Sequence, residues 1–304
     1  MSTMCSTGQV EDTKREVLKF CGPTDYSISN LEHGVIYCQH FAAYNDPFEF
    51  WNHIYDGIPD PESEPERFAA ALKAWGMEGS SPHDEDVVSY FDECQLYQPP
   101  FNTMRNAVRI ACFGSQRDNM LMWSHYADGL RGFCIVFDED CIARIEPEAY
   151  LLDVKYLDAP PTVDSFVYAV ASDQDWYHQV AIEETEAHIR HLGKTDEKHE
   201  IAAYEQARAE AVAQMREIWQ QVFAVKPIDW KYEGERRLLV QTQRTDSEPI
   251  QQPYPLEAIK EVILGERMHD EYRQRILDVL QKNHPGVPVR TAYRAHSLYA
   301  ISID

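Results

Sequence analysis

Glycine is never clustered in this chain. Neither a GxGxxG nor a GxxxxGK[ST] pattern occurs, so dinucleotide-fold and P-loop phosphate cradles are excluded. The absence of GxSxG removes the strained serine elbow of the α/β-hydrolases. The seven cysteines, Cys5, Cys21, Cys38, Cys94, Cys112, Cys134 and Cys141, show no paired short spacing. That rules out a zinc ribbon and reads as reduced thiols, several of them inside apolar runs. Positive charge is scarce: 28 Lys and Arg face 51 Asp and Glu, for a net charge of -23. Such a surface repels phosphate backbones and anionic lipid, so non-specific nucleic-acid binding and membrane binding are not expected. No apolar run approaches the roughly 18 residues that suggest a membrane span, and the first residues carry no apolar signal core. A cytoplasmic protein is expected.

One stretch organises what is present. In Asn119-Met-Leu-Met-Trp-Ser-His-Tyr-Ala-Asp128 the aromatic and polar residues Trp123, His125 and Tyr126 crowd together. After Gly129 and Gly132 the chain becomes Phe133-Cys-Ile-Val-Phe137, a short β-rich apolar run that stops at Asp138. A helical turn delivering polar groups to a buried strand is what a cleft requires.

Along the chain, strands are expected at 17–20, 35–38, 108–113, 133–137, 151–156, 237–241, 262–264, 287–293 and 297–303. Helices are expected at 26–32, with His33-Gly34 as its stop, and at 49–54, 66–75, 84–96 and 269–283. Residues 1–16 read as loose or a short helix. Residues 172–222 are helical almost throughout, broken at Gly193-Lys194. Strands and helices follow no regular alternation. The fold expected is therefore α+β: a mixed, mostly antiparallel central sheet with flanking helices and a long helical hairpin insertion. One domain would span 1–304, with a helical insertion at 56–100 and a helical arm at 172–222 that docks a protein partner or a second copy.

Candidate chemistry comes from three places. Glu233-Gly-Glu-Arg-Arg237 opens a strand; on extended backbone Glu233 and Glu235 share a face and Arg236 points the other way. Such carboxylates in a cleft can hydrogen-bond a ribose hydroxyl and stabilise an oxocarbenium-like transition state; the plainer alternative is a surface ion-pair cluster. Trp123 or Tyr126 would stack on a planar ligand while His125 acts as acid, base or donor, unless the imidazole is simply a hydrogen-bonded core group. Asn45 and Asp46 sit in a turn before Pro47, and with Glu49 they either hold a cation or cap a helix. Glu184, His188, His191 and His199 have ligand-like spacing but lie in a Glu-rich solvated arm, so no resident metal is expected. Ser115 and Ser124 are weak nucleophile candidates.

The order Lys19-Phe20, Tyr44-Asn-Asp-Pro-Phe-Glu49, Cys112-Phe113, Met122-Trp-Ser-His-Tyr-Ala-Asp128, Gly132-Phe-Cys-Ile-Val-Phe137, Val154-Lys-Tyr156, Trp230-Lys-Tyr-Glu-Gly-Glu-Arg236 and Val262-Ile-Leu-Gly265 resembles the prokaryotic domain-of-unknown-function family 2971 over about residues 17–303. A weaker similarity is to ADP-ribosyltransferases, whose late strand bears a catalytic Glu, sometimes as Glu-x-Glu. That resemblance implies Glu235 as catalytic carboxylate with Glu233 beside it. It implies Tyr37 or Tyr44 stacked on nicotinamide and Lys19 near the adenosine side. The function it implies is a nucleotide-using transferase or glycohydrolase with NAD as substrate, serving as a toxin or phage-defence effector. The cleft would be lined by Asn45, Asp46, Trp123, His125, Tyr126, Glu233, Glu235 and Arg236. The alternatives are a metal-dependent nuclease or hydrolase using Asp46, Glu49, His125 and Glu235, and a non-catalytic module acting through its arm.

Overall fold

A computed structural model describes residues 16–145, 149–193 and 198–304. The expected loose N-terminus, Cys5 and the Lys194 half of the arm's break lie outside the described residues. The fold is mixed α+β with a mostly antiparallel five-stranded sheet and a long helical hairpin.

In that sheet the strand Phe133–Asp138, buried along its whole length, pairs antiparallel with Glu16–Cys21 on one side and Ile259–Gly265 on the other. Val289–Arg294 runs parallel to Ile259–Gly265, and Ile301–Ile303 closes the order. A second sheet places Arg236–Gln241 between Val108–Phe113 and Ala149–Asp153, antiparallel to both. The two sheets meet at a seam where Leu18 bridges Gly114, and beside it Gln39, at the end of a separate two-stranded sheet of Val35–Cys38 and Ile250–Pro253, bridges Ile110. Both bridges are backbone pairings in which a residue just past a strand end, Gly114 or Gln39, meets the middle of another strand.

The helix Asp25–His33 ends where the sequence predicts. Gly34 takes a left-handed φ of 63° and its N–H returns to Asn30 and Leu31 carbonyls. The arm begins earlier than expected, as Ser165–Leu192, capped by the Asp164 carboxylate, and returns as Lys198–Phe223. Its buried root, with Phe166, Val170, Val222 and Phe223, joins the core beneath the second sheet, where the helices Pro65–Trp75 and Glu85–Cys94 add Phe68 and Phe91. No described helix is long and apolar enough to cross a membrane.

Two local expectations change. Residues 49–54 form no helix. The Asp46 carboxylate accepts the Phe48 N–H, and Phe50 turns left-handed at φ 57°. The chain then leaves as the short strand His53–Tyr55. The helix Phe101–Ala107 and the strand Ile250–Pro253 carry too little periodicity to be read beforehand.

Candidate active site

A cavity of about 250 Å³ opens at the seam between the sheets, and Lys19, Tyr44, Asn45, Cys112, Tyr126, Lys226, Glu233 and Glu235 reach it. They come from six separate segments. Strand Glu16–Cys21 supplies Lys19, whose ammonium donates to the Cys112 carbonyl at 2.9 Å and lies over the Phe113 ring. Tyr44 anchors its hydroxyl on the Ile110 carbonyl at 2.8 Å, leaving its ring as wall.

The acids do not share the face of a strand. Glu233 ends the 3-10 helix Ile228–Glu233, Gly234 is left-handed at φ 51°, and the strand starts only at Arg236. A Cβ on Gly234 would lie 2.4 Å from the Ser115 hydroxyl. This glycine turn swings both carboxylates onto one cation. The Lys226 ammonium, itself buried, lies 2.7 Å from Glu233 and 2.6 Å from Glu235. Tyr126 donates its hydroxyl to the other Glu233 oxygen. Behind them the fully buried Arg237 donates to Glu235 at 3.0 Å and to Glu49 at 2.6 Å, and steadies the arm's end through the Phe223 carbonyl at 2.6 Å.

The result is an alternating chain, Glu49–Arg237–Glu235–Lys226–Glu233, with three carboxylates and two cations. Buried charges of this kind survive only in pairs. Burial alone would raise the Glu235 carboxyl, but Arg237 and Lys226 outweigh it and hold Glu235 well below the ordinary value of 4.5. Burial likewise opposes the charge on Lys226, and Glu235 overrides it to keep the ammonium protonated. Burial, then the neighbouring Glu233, pushes the Tyr126 hydroxyl up, so it stays a donor. Burial pushes the Cys112 thiol up to about 12, so it is a wall group and not a thiolate nucleophile. With all three carboxylates ionised the chain holds one more negative than positive charge; its cavity end is Glu233, and the Lys19 ammonium lines the same cavity.

Several residues expected in the site are elsewhere. Trp123 is fully buried, donates its indole N–H to the Arg117 carbonyl at 2.7 Å and meets Phe20 edge-on; it is core. His125 is exposed at the end of the helix Met120–His125, with its ring 6.0 Å from Tyr232 and outside the cavity wall. It sits one position before Tyr126, and a helical step of one residue turns the side chain away. Arg236 points to the opposite side of the sheet and forms a forked pair with Glu139 at 2.9 Å, with Asp153 beside it. Asp46 is buried in its turn. Tyr37 lines a neighbouring cavity of about 480 Å³ that shares Lys19, Phe20 and Gln39 with the first. Of the acids proposed for metal ligation, Glu49 and Glu235 are held by Arg237 and Asp46 accepts the Phe48 N–H, and among the described residues no three His, Cys, Asp or Glu side chains form a metal-holding group.

Lys226 and Arg237 were missed. The signal that could have found them is a cation beside apolar strand residues: Lys226 is the lone charge in Val225-Lys-Pro227, and Arg237 is the second of two arginines that open Arg236-Arg-Leu-Leu-Val240.

Residues 122–238 match the family described as Protein of unknown function (DUF2971). The matched span holds Tyr126, Lys226, Glu233, Glu235 and Arg237. It is narrower than the 17–303 expected, and Lys19, Tyr44 and Glu49 fall outside it. No curated protein and no solved structure matches the chain.

Proposed function

We propose that the seam cavity is the active site of a nucleotide-using transferase or glycohydrolase that breaks the bond between ribose C1′ and a cationic leaving base, with NAD as the substrate. The observation that carries this reading is the odd number of charges in the buried chain: a surplus carboxylate charge ends at Glu233, on the cavity wall. A pyridinium nucleoside brings a positive ring into such a site. As its C1′–N bond breaks, the bonding pair neutralises the ring nitrogen and positive charge moves onto the ribose C1′–O4′ unit. A fixed carboxylate in a site of low dielectric is worth most at that moment.

Glu233 is the group that touches the reacting sugar. Glu235 and Lys226 are positioning residues that fix its charge and direction. Water or an acceptor hydroxyl then forms the new C1′–O bond and gives its proton to Glu233. Tyr44 and Tyr126 offer ring faces to a planar base. Lys19, on the wall shared with the Tyr37 cavity, suits a phosphate oxygen, and the two adjoining cavities together match a ligand longer than one nucleoside. The metal-dependent alternative has no comparable geometric support.

The test is incubation with NAD labelled in the nicotinamide ring. Release of free nicotinamide by the wild-type chain, falling at least 100-fold in Glu233→Gln, supports the assignment. No binding and no release at millimolar NAD, with candidate acceptors present, removes it.

A further inference from the structure

A second and larger concavity, about 780 Å³, lies across the helix Met120–His125 from the proposed active site. Its wall is built with local strain. Asp128, Gly129 and Leu130 are left-handed in succession, at φ 48°, 59° and 68°. For Leu130 this is a conformation that residues with a side chain rarely adopt. The loop is pinned on the end of the strand Ile259–Gly265: Gly265 donates to Gly132 and Arg267 donates its backbone N–H to Leu130, both at 3.0 Å. A Cβ on Gly265 would fall 2.1 Å from the Leu130 carbonyl oxygen, so the approach requires glycine there.

The pinned loop sets two guanidiniums side by side. Arg267 Nη1 and Arg131 Nη1 lie 3.5 and 3.7 Å from the same point, the place of a Cβ on Gly129, so they are no more than about 7 Å apart. Arg131 donates to the Asp128 backbone carbonyl at 3.0 Å and pairs only loosely with the Asp128 carboxylate at 3.5 Å, and its side chain is 48% exposed. Arg267 donates to the Gly129 carbonyl and, among the described residues, has no carboxylate partner. In a chain with 51 acids and 28 bases, adjacent under-neutralised arginines are an exception. A carboxylate bridging two guanidiniums through charge-assisted bonds of about 2.8 Å spans a gap of this size. The same groove is lined by the hairpin tip, with Leu298 at 72% and Tyr299 at 102% exposure, and among the described residues its one carboxylate, Glu266, is already paired with Arg294.

We infer that this groove binds an acidic peptide segment of a partner protein, with a carboxylate reaching Arg267 on the groove wall and Arg131 just outside it beside Gly129, and a bulky apolar side chain against Leu298 and Tyr299. Charge complementarity selects the acid, and the exposed apolar tip and the groove's size favour a peptide over a small anion.

The test uses fluorescence anisotropy with a labelled peptide of alternating glutamate and leucine, and its lysine–leucine counterpart. The wild-type chain binds the acidic peptide and not the basic one. The double variant Arg131→Glu/Arg267→Glu weakens binding at least tenfold with an unchanged melting midpoint. Tyr299→Ser, at an exposed position, weakens it severalfold, and covers the case in which the double variant does not fold. Failure of the wild type to bind, or equal binding by Tyr299→Ser, overturns the inference. Complete displacement by millimolar inorganic phosphate overturns the peptide in favour of a bare anion. A wild-type dimer in sedimentation that dissociates in the double variant overturns the partner in favour of a second copy. None of these outcomes depends on turnover of NAD.

Discussion

Two five-membered ion chains can be compared within this molecule. Across one end of the large sheet's strands, Lys260, Glu16, Arg117, Glu261 and Arg290 are linked at 3.4, 2.6, 2.7 and 3.0 Å. That chain ends on cations, and most of its side chains are about a third to a half exposed. Inside the seam, Glu49, Arg237, Glu235, Lys226 and Glu233 are linked at similar distances, end on carboxylates and are almost wholly buried. The bond lengths do not separate the two; solvent does. Water screens the first chain, so it is a modest surface feature. The second has given up its hydration, and a hydrophobic replacement would be as stable or more so. Retaining charge at that expense beside a cavity is what a site for charged chemistry looks like.

The comparison is broken most severely at Glu235. Glu235→Ala leaves Lys226 and Arg237 buried with one carboxylate each, and should destabilise the fold by about 3–5 kcal/mol in denaturant titration. If the loss is under about 1 kcal/mol, the buried chain is no more coupled than the surface one. Next in size is acid sensitivity. The Glu235 carboxyl is held below its unfolded value of 4.5 in the folded chain. Its contribution is therefore fully present above about pH 4.5 and is lost as pH falls below it, because the unfolded state then binds more protons. Burial pushes Glu49 the other way, so part of this loss is offset. Melting midpoints should drop more steeply below pH 4.5 in the wild type than in Glu235→Gln; parallel curves would contradict the assignment. Smallest is Arg117→Ala, which should cost between about 0 and 1 kcal/mol and fade further in 0.5 M salt.

The same contrast explains what was legible in the sequence. The strand Phe133–Asp138 and the helix ending at Gly34 announce themselves through local pattern, because neighbours along the chain decide them. The carboxylate pair was visible as Glu233-Gly-Glu235, though for the wrong reason: a left-handed glycine, not strand alternation, brings the acids together. Trp123 and His125 stand out as rare residue types close together, yet one is core and the other faces water, since two positions along a helix are roughly half a turn apart. Lys226 and Arg237 gave almost no signal. Arg237 meets Glu49 across 188 residues, and no local rule connects them.

The central claim is that the surplus carboxylate at Glu233 selects a positively charged ring on ribose. NAD and NADH differ at the nicotinamide by that charge and have nearly the same size. Calorimetric titration of both, at one salt concentration, should give at least tenfold tighter binding of the oxidised form to the wild type, and no preference in Glu233→Gln. Equal affinity of the wild type for the two forms would contradict the account.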